Sequence, residues 1–179
     1  MIAHLRARDF KVMPWANGKG QTVEMWRQDR DGAMLWRLSR AAVVEDSDFS
    51  LLPGVDRNLT VISGPGFDLG PLRAEPLQPV SFAGDVAVRA SGVAAPCEDF
   101  NVMVRRGAVR AEVLVCEGGR LAGSSALFAL GPVQVNEIRV ARWELLLTDE
   151  ALGFEGLAIV VRLIGAGIDF SAKNQVSAG

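Results

Sequence analysis

The sequence predicts an all-β fold, an antiparallel sandwich or barrel with few short helices. Three observations carry this. Nineteen glycines and eight prolines interrupt 179 residues, leaving little room for long helices. Between them lie short runs rich in valine, leucine and isoleucine, several alternating apolar with polar as half-buried strands do. Turn signals recur about every ten residues, at Pro53-Gly54, Gly64-Pro65-Gly66, Gly84-Asp85 and Glu117-Gly118-Gly119, a rhythm of antiparallel strands rather than of β-α units.

Taken in order, "QTVEMW" (21–26) alternates like a strand: Val23 and Met25 share one face, Thr22 and Glu24 the other. In "MLWRLSRA" (34–41), Trp36 and Leu38 point one way, Arg37 and Ser39 the opposite way. "NLTVIS" (58–63) and "VAVRAS" (86–91) follow. In "FNVMVRR" (100–106), Phe100, Val102 and Val104 share a face, while Asp99, Asn101, Met103 and Arg105 share the other. "VRAEVLVCE" (109–117), "VQVNEIRVARWELLL" (133–147) and "LAIVVRLIG" (157–165) complete the β-type runs, and "SSALFAL" (124–130) reads as a short helix or a strand. The polar rows either line the mouth of a barrel or face solvent. No linker divides the chain, so one compact unit with a continuous core is expected, and residues 171–179 read as a flexible tail.

Composition restricts the partners. Hydrophobic residues make up 49%, charged residues 22%, and the formal net charge is -2, which gives no electrostatic reason to expect nucleic acid. No run of 18 apolar residues occurs, which argues against a membrane span. "MIAHLRARDF" has no apolar signal-peptide core, so a cytoplasmic location is expected. Cys97 and Cys116 read as reduced residues in or near the core.

The most suggestive stretch is "MPWANGKGQTVEMW" (13–26). A phosphate-binding Walker loop needs a first glycine where Met13 stands and a hydroxyl residue where Gly20 stands, so Gly18-Lys19 is not one. His4 is the single histidine, which leaves no set of nitrogen or sulfur ligands for a transition metal and no support for a catalytic triad. No metal and no cofactor are expected.

At these residues the chain resembles the HutD/Ves family of bacterial proteins. Pro14-Trp15, the Asn17-Gly18-Lys19-Gly20 turn, Thr22 and Glu24, Trp36-Arg37-Leu38-Ser39, Phe49-Ser50, Pro53-Gly54, Asp56-Arg57 and Asp99-Phe100-Asn101 follow the family's order over residues 10–107. Lys19 replaces the usual middle glycine and Ala16 a common lysine, which changes the loop's flexibility and charge. The resemblance implies a bicupin, two cupin-like β-barrel halves (about 10–95 and 96–168) without the usual metal-binding histidines. It also implies an association with histidine utilisation: binding of an acidic intermediate such as N-formyl-glutamate or urocanate, in a role that governs pathway output. A related branch is described as stress-induced.

The expected ligand-binding residues are Trp15, Asn17, Gly18, Thr22, Glu24, Arg37, Ser39, Asn101 and Arg105. Trp15 either walls the ligand or plugs the core. Among the arginines Arg37 ranks first as receptor for a carboxylate. Arg105 has Asp99 within reach as an alternative partner, and Arg57, following a turn, is expected to pair with Asp56 or another acid at the surface. A non-enzymatic small-molecule binder heads the functional readings. The alternatives are a cupin-fold isomerase or hydrolase using Glu24 or Asp99 as general base, and a protein-interaction module. A homodimer is compatible with each.

Overall fold

In the computed structural model, which describes residues 1–16, 18 and 20–171, the alternating runs pair into 17 strands. They are β1 (Ile2–Leu5), β2 (Lys11–Pro14), β3 (Gln21–Arg30), β4 (Ala33–Val43), β5 (Ser47–Asp48), β6 (Val55–Ser63), β7 (Phe67–Leu69), β8 (Leu72–Ala74) and β9 (Val80–Ala83). The chain continues through β10 (Arg89–Ser91), β11 (Cys97–Arg105), β12 (Val109–Arg120), β13 (Ser125–Ala129), β14 (Val133–Val135), β15 (Ile138–Val140), β16 (Leu145–Thr148) and β17 (Gly153–Gly165). Among the described residues the one helical element is a 3-10 turn, Ala7–Asp9. The predicted tail lies outside the described residues from position 172 onward.

The strands form three sheets. The first runs β2-β3-β4-β11-β6-β9, a small second sheet runs β5-β10-β7-β8, and the third runs β1-β16-β13-β17-β14-β15 with β12 also on β17. Every ladder between strands is antiparallel. β11 lies between β4 and β6, and β1 joins β16 in the third sheet.

The alternation read from sequence sets which face goes where. Val23, Met25, Trp36, Leu38, Phe100, Val102 and Val104 of the first sheet pack against Phe128, Leu145, Leu147, Ile159 and Val161 of the third. At the centre Phe100 stacks on Phe128 with ring centroids 4.7 Å apart. A register shift in the β3-β4 ladder between Glu24 and Trp26 turns both Met25 and Trp26 into this core. The other face of the third sheet is closed over Leu127, Ala129, Val135, Leu146, Phe154 and Ala158. The other face of the first sheet meets the small sheet through Val43, Leu59, Val61, Phe67, Leu69 and Ala90.

The structure settles one open reading and differs from the sequence expectation in two segments. "SSALFAL" is strand β13, buried at all five positions, because apolar side chains cover both of its faces and erase the polar half of the alternation. The run 133–147 is three short strands, interrupted where Asn136 (φ 47°) and Trp143 (φ 67°) take left-handed backbone. Asn adopts this readily. Trp143 is held there by its N–H donating to the Ala129 carbonyl at 2.7 Å and by the Arg40 and Arg142 guanidinium groups, 4.5 and 4.6 Å from its ring centroid. Of "VAVRAS" only Arg89–Ser91 forms a strand.

Candidate functional site

The face of the first sheet that looks toward the small sheet is polar where the apolar cluster ends. On β4 it presents Arg37, Ser39, Ala41 and Val43, and on β11 Asp99, Asn101 and Met103. The ladder sets Asp99 opposite Ala41, Asn101 opposite Ser39 and Met103 opposite Arg37, while Arg57 of β6 stands across from Met103 on the other side. Thr22 and Trp15 form one wall, and Ser47, Asp48, Phe49, Ser50 and Leu52 cover the strip. These residues border a half-open cavity of about 430 Å³, in the range of small-molecule sites.

Arg57 dominates the cavity's electrostatics. It is 6% exposed, against the expectation that it would pair with Asp56 at the surface; Asp56 pairs instead with Arg106 at 2.7 Å. The reason is strand parity: Arg57 shares a face with Leu59 and Val61, both fully buried. Its guanidinium is held between Phe49 and Phe82, 5.1 and 5.0 Å from the two ring centroids. One N–H donates to Asn101 Oδ1 at 3.2 Å, and Nε finds no hydrogen-bond partner among the described residues. Arg57 makes no ion pair among the described residues. Burial pushes its pKa down, as does the like charge of Arg37, while Asp99 opposes the shift.

Asp99 is fully buried. Its Oδ1 accepts from the Asn101 amide, so Asn101 links the guanidinium to the carboxyl group, and among the described residues the Asp99 Oδ2 has no partner. Burial pushes the Asp99 pKa up to about 7; the Arg57 charge and the Asn101 hydrogen bond hold it down, and Glu98 adds a smaller upward push. Arg37 is already compensated, its Nε–H donating to Glu24 Oε2 at 2.6 Å.

The opening glycine-rich stretch is a turn feeding β3. Trp15 N–H donates to the Gly20 carbonyl at 2.9 Å, and Gly18 N–H donates back to the Trp15 carbonyl at 3.0 Å. Gly18 has φ +70°, a conformation that favours glycine. The indole Nε1–H of Trp15 donates to Thr22 Oγ1 at 3.0 Å. Gly20 lets the ring lie close: a Cβ there would sit 2.9 Å from a ring carbon of Trp15.

Of the residues proposed from sequence, Trp15, Thr22, Arg37, Ser39 and Asn101 come together around the cavity. Glu24 pairs with Arg37 and is not in the cavity lining, and Gly18 shapes the turn. Arg105 is spent elsewhere, donating from Nε to the Met34 carbonyl at 3.0 Å and from Nη2 to the carbonyls of Arg30 and Ala33. It therefore pairs with backbone rather than with Asp99, because it lies at the end of β11, beyond the cavity. Asn17 and Lys19 lie outside the described residues. Sequence reasoning left out Arg57 as a cavity residue, although the period of two along β6 carried the signal, and Phe49, for which no local pattern spoke. Among the described residues no group of three or more His, Cys, Asp or Glu side chains is arranged to hold a metal ion. His4 hydrogen-bonds Glu144 at 2.7 Å in the third sheet. Among the described residues no helix is long and apolar enough to cross a membrane.

Comparison with known proteins agrees with this architecture. Protein Ves of Cronobacter sakazakii is 34% identical over 142 residues, covering 72% of this chain and 78% of the relative. An uncharacterised 21.2 kDa protein in the hutC 3' region of Pseudomonas putida is 33% identical over 130 residues, covering 68% of each chain. The structure of HutD from Pseudomonas fluorescens superposes with a TM-score of 0.85 at 29% identity, over 93% of this chain and all of that one. A cupin 2 conserved barrel domain protein from Leptotrichia buccalis shares the fold at 8% identity and a TM-score of 0.54, over 87% of this chain and 96% of that one. The HutD family model matches residues 7–166, and with the cupin-type barrel and the shared motif order in place, the chain belongs to the HutD family.

Proposed function

We propose that this protein is a metal-free, cupin-type small-molecule binder whose cavity receives the carboxylate of an acidic metabolite. The observation that carries the reading is Arg57, a buried guanidinium in a cavity with no ion pair among the described residues and an unused Nε–H. A buried cation with no ion pair is costly, and a bound carboxylate supplies a direct ion-pair partner that the more distant Asp99 does not. Arg37, Ser39, Thr22 and Asn101 offer further polar contacts, and Trp15 and Phe49 apolar walls. The name of the Pseudomonas putida relative places it beside hutC, which favours histidine-degradation intermediates, N-formyl-glutamate or urocanate, and a governing rather than a catalytic role. The test is titration calorimetry with both compounds, run beside an assay of their consumption. Binding without turnover is expected, weakened at least about thirtyfold by Arg57→Met, the loss of about 2 to 5 kcal/mol typical of a buried charged contact. Unchanged affinity in the folded Arg57→Met protein would remove the assignment.

A second reading has one observation behind it. A buried carboxyl group titrating near neutrality at a cavity wall is the form a general base takes, and Asp99 meets that description. Glu24 meets it less well, being held by Arg37. Consumption of either compound, abolished by Asp99→Asn, would establish an enzyme.

A further inference from the structure

The cavity contains an unpaired donor and an unpaired acceptor on neighbouring residues that oppose each other in charge. Among the described residues the Arg57 Nε–H and the Asp99 Oδ2 both lack hydrogen-bond partners, and Asn101 connects the two groups through its amide. The same guanidinium that attracts an anion also holds Asp99 in its charged form. An anion docking on Arg57 cancels that support and adds a negative charge of its own beside Asp99. One cation cannot fully compensate two carboxylates where the cation and one of the carboxylates are buried.

Resting on the binder reading above, we infer that the carboxylate ligand enters together with one proton, which Asp99 accepts at Oδ2. The balance is simple: ligand carboxylate, one proton from solvent and the charged Asp99 give a complex in which Asp99 is neutral and the ligand stays ionised. Arg57 then has a single counter-charge.

No other group around Asp99 stands ready to take that proton. On β11 its neighbours are the buried Cys97 thiol, the neutral Asn101, and Glu98, whose carboxylate is paired with Arg40 at 2.8 Å. β4 presents the neutral Ala41 and Ser39, and then Arg37, which is bound to Glu24 of β3. β6 presents Val61 and Arg57. From the cover comes Asp48, exposed and paired with Arg89 at 3.1 Å, and the small sheet contributes only apolar Phe67, Leu69 and Ala90 to the adjoining core.

The experiment is calorimetry of the wild-type protein with N-formyl-L-glutamate, and with acetate as the minimal carboxylate, at pH 6, 7 and 8 and constant ionic strength. Both compounds are fully ionised across this window, so any proton taken up belongs to the protein. Repeating the pH 8 titration in phosphate and in Tris, which differ in ionisation enthalpy, counts the protons. Uptake approaching about one per ligand at pH 8 is expected, with affinity falling by up to roughly tenfold between pH 7 and 8, as linkage requires. Asp99→Asn should bind with no more than residual uptake and a flat pH profile, whereas uptake originating at His4 would survive that change. Equal affinity at all three pH values and no buffer dependence in wild type would overturn the inference while leaving the binder reading intact. No binding of either carboxylate at any pH would overturn both. The wild-type buffer comparison decides the matter even if Asp99→Asn does not fold.

Discussion

Arg37 and Arg57 lie on one cavity wall and differ in what already neutralises them. Arg37 is committed to Glu24, so removing it strands a largely buried carboxylate as well as a ligand contact. Arg37→Met should therefore lower stability by about 1 to 3 kcal/mol, and the double variant with Glu24→Gln should recover most of that loss in denaturant unfolding. Equal stabilities of the single and double variants would show that the pair is not coupled. Asp99 carries a prediction of opposite sign to the usual acidic residue. Its folded pKa, near 7, lies above the unfolded value, so the native state binds more protons than the unfolded chain between about pH 4 and 7. Its contribution to stability is fully present below about pH 4 and is lost as pH rises to 7, by at most about 1.4 kcal/mol per pH unit. Asp99→Asn should flatten that segment of the stability profile; the same slope in both proteins would mean that another group titrates there.

At the level of elements, the turn before β3 and the segment over the cavity shape a site whose floor is rigid sheet. Gly20 is the close-approach point of that turn. Gly20→Ala brings a methyl group against the Trp15 ring, and the ring can give way because it projects from a loop. Its hydrogen bond to Thr22 is the contact most exposed to that movement. Folding stability should stay within about 1 kcal/mol of wild type, since the added methyl also restricts the unfolded chain. Ligand affinity and the indole fluorescence should both change. A variant unaltered in both would reduce Trp15 to a surface ornament of the turn. Phe49 plays the matching part from above: it stacks on Phe67 and meets Phe82 edge-on, with centroids 6.5 and 6.3 Å away, and so fixes the cover over Arg57.

For the whole molecule, the decisive feature is the apolar layer shared by the first and third sheets. Because Phe100 of one stacks on Phe128 of the other, and β1 closes against β16 at the far end of the chain, neither sheet keeps its core if the other opens. Thermal unfolding should be a single cooperative transition. Phe128→Ala should lower stability by about 3 to 5 kcal/mol while leaving one transition; two resolved transitions would show that the sheets unfold independently. The scarcity of histidine also predicts that a chelator leaves the melting temperature unchanged, which elemental analysis of the purified protein would check alongside.

The sequence by itself determined the β architecture and which side chains share a face, because a period of two is a local property of the backbone. It was enough to bring Arg37, Ser39, Thr22 and Asn101 to one surface of the first sheet, and the family motifs tied that surface to a barrel. Whether the surface would be wet or enclosed was not a local property. β12 alternates as clearly as β11, yet its exposed row, with Leu114 65% exposed, faces outward. The row on β11 faces a cavity because β5, Phe49 and the small sheet close over it. Tertiary structure alone also decided the order among the arginines. Arg57 stands next to Asp56 in the chain, but strand parity sends the two to opposite sides, one buried among aromatic rings and one paired at the surface. Arg105, in phase with Asn101, lies one residue pair past the end of the cavity and is spent on carbonyl groups. Burial and pairing come from contacts between segments far apart in sequence, and those contacts set both the burial of Arg57 and the raised pKa of Asp99.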